Sequence, residues 1–80
     1  MESVTLGEYI RRKRRESGMK CVELASRLGV TYETVYFWER NLRYPNDCRI
    51  ADLCNALALD FSEVLMVKIR DQQRRSTRGK

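Results

Sequence analysis

Eighty residues with a net charge of +5 bound one small domain, with a core only marginally large enough to hold itself. Three cysteines, an odd count with no CxxC, and no histidine argue against a disulfide framework and against a zinc site, and for a reduced, cytoplasmic compartment. No apolar run exceeds four residues and the chain starts MES, so neither a membrane span nor a signal peptide is expected.

The charge is unevenly placed. Residues 70–80 carry five Lys or Arg and one Asp, which leaves residues 1–69 nearly neutral. We expect a folded domain over 1–69 and a basic, disordered tail over 70–80. Four Gly, one Pro and no segment of period-two alternation predict an all-α fold of five helices.

Helix 1 is expected from about Thr5 to Glu16, with Thr5 as N-cap and Glu8 completing a capping box. Leu6, Ile10 and either Lys13 or Arg14 make its inner face, Gly18 ends it, and Met19 tucks under. The run Arg11–Arg15 points all around a helix, so it cannot meet one ligand and reads mainly as a solvated face. Helix 2 follows over about Cys21–Leu28 and helix 3 over about Tyr32–Arg40.

The segment 21–40, CVELASRLGVTYETVYFWER, is the most specific part of the chain. Leu24, Leu28, Val35 and Trp38 fall inward at three- and four-residue spacings. Small Ala25 permits close approach of the two helices. Gly29 meets the need for a left-handed C-cap, Val30 plugs the corner, and Thr31 can cap the next helix. That pattern is a helix-turn-helix, in which the second helix enters a DNA major groove. After it come the loop Leu42–Pro45, a fourth helix starting at Asn46 or Asp47 with Ile50, Leu53, Cys54 and Leu57 inward, and a fifth from about Ser62 to near Ile69. Leu59 and Phe61 are expected in the core. Cys54 reads as a small buried hydrophobe; nothing marks Cys21 or Cys48 as a low-pKa thiol.

Over residues 5–67 the frame LGEYIRRKRRESGMK, ELASRLGVT, VYFWERN and IADLCNALALDFSEVL resembles the phage-repressor or Cro-type DNA-binding domains of the xenobiotic-response-element family. Leu24-Ala25, Leu28–Thr31, Trp38–Arg40 and Ala56-Leu57 all keep that family's spacing. Three positions depart from it: Cys21 stands where Gln is frequent, and Asn41 and Ala58 stand where Gly is usual, so the end of helix 4 is expected to form differently. The resemblance implies a compact five-helix domain that binds double-stranded DNA.

The outer face of helix 3 consists of Tyr32, Glu33, Tyr36, Phe37 and Arg40. Glu33 can accept from a cytosine amino group, and the rings of Tyr32, Tyr36 and Phe37 can pack on thymine methyls. The resemblance implies base contacts for these four. Implied phosphate contacts are the start of helix 2 at Lys20 and Cys21, then Thr31, Thr34 and Arg40, and the loop residues Arg43, Tyr44 and Asn46. For Thr31 and Thr34 ordinary capping is an equal reading. Arg14 and Glu39 hold the places of a structural ion pair in the family. The basic tail could track phosphates or only solubilise.

These features predict a sequence-specific DNA-binding transcriptional regulator, a repressor of phage or other mobile-element type, acting at the nucleoid. A palindromic operator would need a dimer; Leu65, Met66, Val67 and Ile69 exceed what one short helix buries, so helix 5 could supply a two-fold interface. The rival reading is a protein-interaction module, an antitoxin or anti-repressor, using the aromatic face of helix 3. No histidine, Gly-rich phosphate loop or nucleophile elbow is present, so neither an enzyme, a cofactor nor a small-molecule ligand is expected.

Overall fold

The computed structural model describes residues 5–78, with side-chain surroundings through residue 73. Five helices follow in order: α1 (Leu6–Glu16), α2 (Cys21–Leu28), α3 (Tyr32–Glu39), α4 (Asp47–Leu57) and α5 (Phe61–Arg78). α3 packs on α1 and α2, while α4 packs on α2 and α5, and α5 returns to α1. Their shared core is Leu6, Tyr9, Ile10, Leu24, Ala25, Leu28, Val35, Trp38, Ile50, Leu53, Cys54, Leu57 and Val64. Each large aliphatic member contributes about 1.5–3 kcal/mol by leaving water. Met19 and Val30 close its edge from the two loops.

Four helix ends are built alike. The residue after the last turn of each is left-handed: Gly18 at φ 72°, Gly29 at φ 69°, Asn41 at φ 64° and Ala58 at φ 57°. The next N–H then reaches back to a carbonyl five residues earlier: Met19 to Arg14, Val30 to Ala25, Leu42 to Phe37 and Leu59 to Cys54, all at 2.9–3.1 Å. Ala58 therefore ends α4 in the same left-handed manner as glycine would, against the expectation of a different ending. It does so at the steric penalty of a Cβ, about 1–2 kcal/mol.

The start of α1 shows where Asn41 differs from glycine. A helix opens with backbone N–H groups that have no partner inside the helix. Here Glu8 N donates to the Thr5 hydroxyl at 3.2 Å. Gly7 N donates to Asn41 Oδ1 at 3.0 Å, and Leu6 N donates to Asp71 Oδ2, also at 3.0 Å. So one local cap, one side chain from the loop after α3 and one from α5 share the task. Gly7 is required by the same junction: a Cβ there would stand 2.6 Å from the carbonyl oxygens of Trp38 and Glu39 and from Asn41 Oδ1.

Several expectations are corrected. Tyr9 joins Leu6 and Ile10 on the buried face of α1, and of the two cations expected there Arg14 turns inward while Lys13 stays more open. Phe61 is 40% exposed as the first residue of α5, and Val64, one turn on, fills the core instead. α5 does not stop near Ile69. It continues to Arg78, into the segment expected to be disordered, and Asp71 is 1% exposed, its carboxylate accepting from Leu6 N at the start of α1. Gln and Arg favour the helix, and the buried carboxylate fastens it. Gly79, Lys80 and the side chains of residues 74–78, which carry most of the tail charge, lie outside the described residues, as does the MES start. No helix among the described residues is long and apolar enough to cross a membrane, and no group of potential metal ligands occurs among them.

Candidate nucleic-acid interface

α3 owes its placement to its inner residues. Val35 is fully buried and Trp38 nearly so, which turns Tyr32, Glu33, Tyr36 and Arg40 outward. Thr31 caps the helix, accepting from Thr34 N at 3.3 Å, while the two threonine hydroxyls bond each other at 2.9 Å. Thr31 thus performs the capping role and stays exposed, while half-buried Thr34 supplies the capped N–H. The other end is held by Glu39. Arg14 Nε donates to Glu39 Oε2 at 2.7 Å and Arg14 Nη2 to Glu39 Oε1 at 3.0 Å, a bidentate pair. Arg14 Nη1 also donates to the Met19 carbonyl at 2.8 Å, so one guanidinium joins α1, α3 and the loop before α2. Those hydrogen bonds to Glu39 raise the Arg14 pKa above its ordinary value.

The outward face of α3 is an ordered aromatic array. The Tyr32 and Tyr36 rings stack at 6.0 Å, and Tyr36 meets Phe37 edge-on at 6.1 Å. The Arg40 guanidinium lies 5.0 Å from the centre of the Tyr36 ring, and that of Arg43 lies 5.7 Å from Phe37. Tyr32 is 48% exposed and Tyr36 36%, whereas Phe37 is half-buried. Glu33 is exposed in the first turn.

The sequence-derived phosphate contacts fare unequally. Lys20 is exposed at the start of α2, but its backbone N–H donates to Glu23 Oε1 at 2.8 Å, so a carboxylate already occupies part of that helix terminus. Cys21 is half-buried, and burial pushes its thiol pKa up, away from a reactive thiolate. Asn46 caps α4, its Oδ1 accepting from Arg49 N at 2.9 Å, while the residue itself stays exposed. The Tyr44 hydroxyl is buried, as is neighbouring Pro45, so it is not presented to a phosphate.

Sequence reasoning passed over three residues that shape this surface: Gly7 and Asn41, which let α3 end against α1, and Arg49, whose Nη1 donates to the Leu28 carbonyl at 3.0 Å and ties α2 to α4. Only Asn41 carries a signal in the sequence, as a residue standing where Gly is usual, and that signal says nothing of its side chain.

A short helix capped and braced so that its outer face is free, preceded by a second helix across a tight corner, defines the helix-turn-helix class. The helix-turn-helix family model matches residues 10–64. The chain belongs to that family. It is similar to the biofilm master regulator SinR in complex with DNA, at 27% identity and a TM-score of 0.71, over 76% of this chain and 98% of that one. The P22 c2 repressor bound to a synthetic operator gives 26% identity and a TM-score of 0.72, over 76% and 92%. ClgR, the clp gene regulator of Corynebacterium glutamicum, gives 26% and 0.70, over 80% and 83%. Among curated proteins none matches.

Proposed function

We propose that this protein is a transcriptional repressor that lays α3 in the major groove of an operator and reads base edges with Tyr32, Glu33 and Tyr36. The observation that carries this is the exposed, internally ordered face of α3, turned outward by buried Val35 and Trp38 on a frame shared with operator-bound relatives. Glu33 accepts from a cytosine amino group; Tyr32 offers its ring to a thymine methyl. Arg40, Arg43, Lys20, Asn46 and the hydroxyls of Thr31 and Thr34 contact phosphates, which set register without reading sequence.

The reading extends to a homodimer on a palindromic site. Met66 and Ile69 are 47% and 40% exposed one turn apart on α5, and half-buried Leu65 lies beside them. Two copies paired along this stripe would cover it. The protein would then act at the nucleoid, in the cytoplasm.

Selection from a pool of randomised duplexes tests the proposal. We expect an enriched motif with inverted-repeat halves about one helical turn apart. A pool that stays unenriched, with binding that does not fall as salt rises, would instead support a protein-binding role for the aromatic face.

A further inference from the structure

We propose that Phe37 is a positioning residue rather than a base reader: its ring is a shelf that holds the Arg43 guanidinium for a backbone phosphate, as Tyr36 does for Arg40. The inference rests on the DNA-binding reading above and divides the labour of the α3 face.

The geometry of the helix end carries it. Asn41 turns left-handed after α3, and Leu42 N donates back to the Phe37 carbonyl at 2.9 Å. That reversal folds the following residue over the last turn and brings Arg43 to 5.7 Å from the Phe37 ring. Without the reversal an arginine six residues on would lie far along the chain. Tyr32, Tyr36 and Arg40 follow at four-residue spacing along one ridge, with Tyr36 in the middle, stacked with Tyr32 at 6.0 Å and with Arg40 at 5.0 Å. Both guanidiniums are within the range at which a ring face attracts a cation.

Two consequences separate this from base reading. A ring whose face carries a guanidinium cannot also lay that face on a thymine methyl; Tyr36 keeps its edge and hydroxyl for bases, and half-buried Phe37 has no polar edge to offer. An arginine on an aromatic face also has fewer rotamers to lose when it meets a phosphate, so the ring contributes to affinity without touching DNA. Its effect is independent of sequence.

The test is a double-mutant cycle on Phe37→Leu and Arg43→Gln, read as Kd on two 30-base-pair duplexes, a selected operator and a random sequence. Phe37→Leu should weaken both duplexes by the same factor, about 2–5-fold, the range of an exposed cation–π contact. Phe37→Tyr should restore binding. In the Arg43→Gln background Phe37→Leu should have no further effect, and Arg43→Gln itself should lower the slope of log affinity against log salt by roughly 0.9. Loss confined to the operator, or a Phe37→Leu effect that persists without Arg43, overturns the shelf. Failure of the wild type to bind either duplex overturns the DNA reading instead. A readout on the free protein keeps the two apart: the side-chain proton signals of Arg40 and Arg43 should be ring-current shifted upfield, and the Arg43 shift should vanish in Phe37→Leu. Unshifted arginines would refute the shelf whether or not the protein binds DNA.

Discussion

Replacing Glu39 by alanine would expose how much of the recognition helix's placement rests on one ion pair. Arg14 and Glu39 have side chains only 13% and 9% exposed, and they meet through two bonds of 2.7 and 3.0 Å. The substitution leaves a buried guanidinium with the Met19 carbonyl as its remaining acceptor. Breaking a buried pair from one side costs about 3–5 kcal/mol; residual exposure at Arg14 places the expectation at about 3 kcal/mol. For a domain of this size that lowers the melting temperature by roughly 12–24 °C. Arg14→Met should be similarly damaging alone. The double variant Arg14→Met, Glu39→Ala should be much less so than the two singles added, because it leaves no orphaned charge. Urea unfolding serves as the assay, followed by helicity and by the fluorescence of Trp38, the only tryptophan and 5% exposed beside the pair. A coupling of about 2 kcal/mol is expected. Additivity within about 0.5 kcal/mol would show that the pair is a contact without energetic consequence, and the bracing argument would fall.

Ala58→Gly should raise stability by about 0.5–1 kcal/mol, the relief of a left-handed Cβ less the added freedom of the unfolded chain, whereas Asn41→Gly should lower it by removing the acceptor for Gly7 N. Urea midpoints decide the signs. The Tyr9 phenol is pushed up to about 12, first by burial and then by the nearby Glu63 carboxylate. It must stay protonated when folded, so stability present below pH 10 is lost as pH rises towards 12. The wild type should lose roughly 2–3 kcal/mol relative to Tyr9→Phe over that window, and parallel alkaline profiles would contradict the burial argument. Truncation at residue 73 should leave the melting temperature unchanged. Truncation at residue 70 deletes Asp71 and should cost about 1–3 kcal/mol, since Leu6 N then loses its buried acceptor.

Local patterns carried most of the fold. Cys21–Leu28 was legible to the residue, because Gly29 and Thr31 punctuate the chain on either side of Val30. The inward residues of α4 followed from periodicity alone. What escaped depends on partners distant in sequence. Gly7 reads as a poor helix former until the carbonyls of α3 cross it, and Asp71 lies 65 residues from the N–H it caps. Phe61 looked like core because it is large and apolar, yet the register of α5 gives the interior to Val64. The polar, basic stretch after Ile69 looked unfolded by composition, which does not see a single buried carboxylate. On the α3 face, spacing showed which residues point outward. It could not show that two of the rings are already paired with arginines, because Arg43 arrives only through the reversal at Asn41.

The central claim is that α3 reads base edges. It is tested most directly by the ratio of affinities for a selected operator and a random duplex, measured at one salt concentration for the wild type, Tyr32→Ala and Glu33→Ala. Both side chains are exposed, so the variants should melt like the wild type. The wild-type ratio should be at least about 1,000. Each variant should reduce it by roughly 5- to 150-fold, the equivalent of 1–3 kcal/mol for a lost base contact, with random-duplex binding nearly unchanged. A wild-type ratio near one, or two variants that keep the full ratio, would contradict the account.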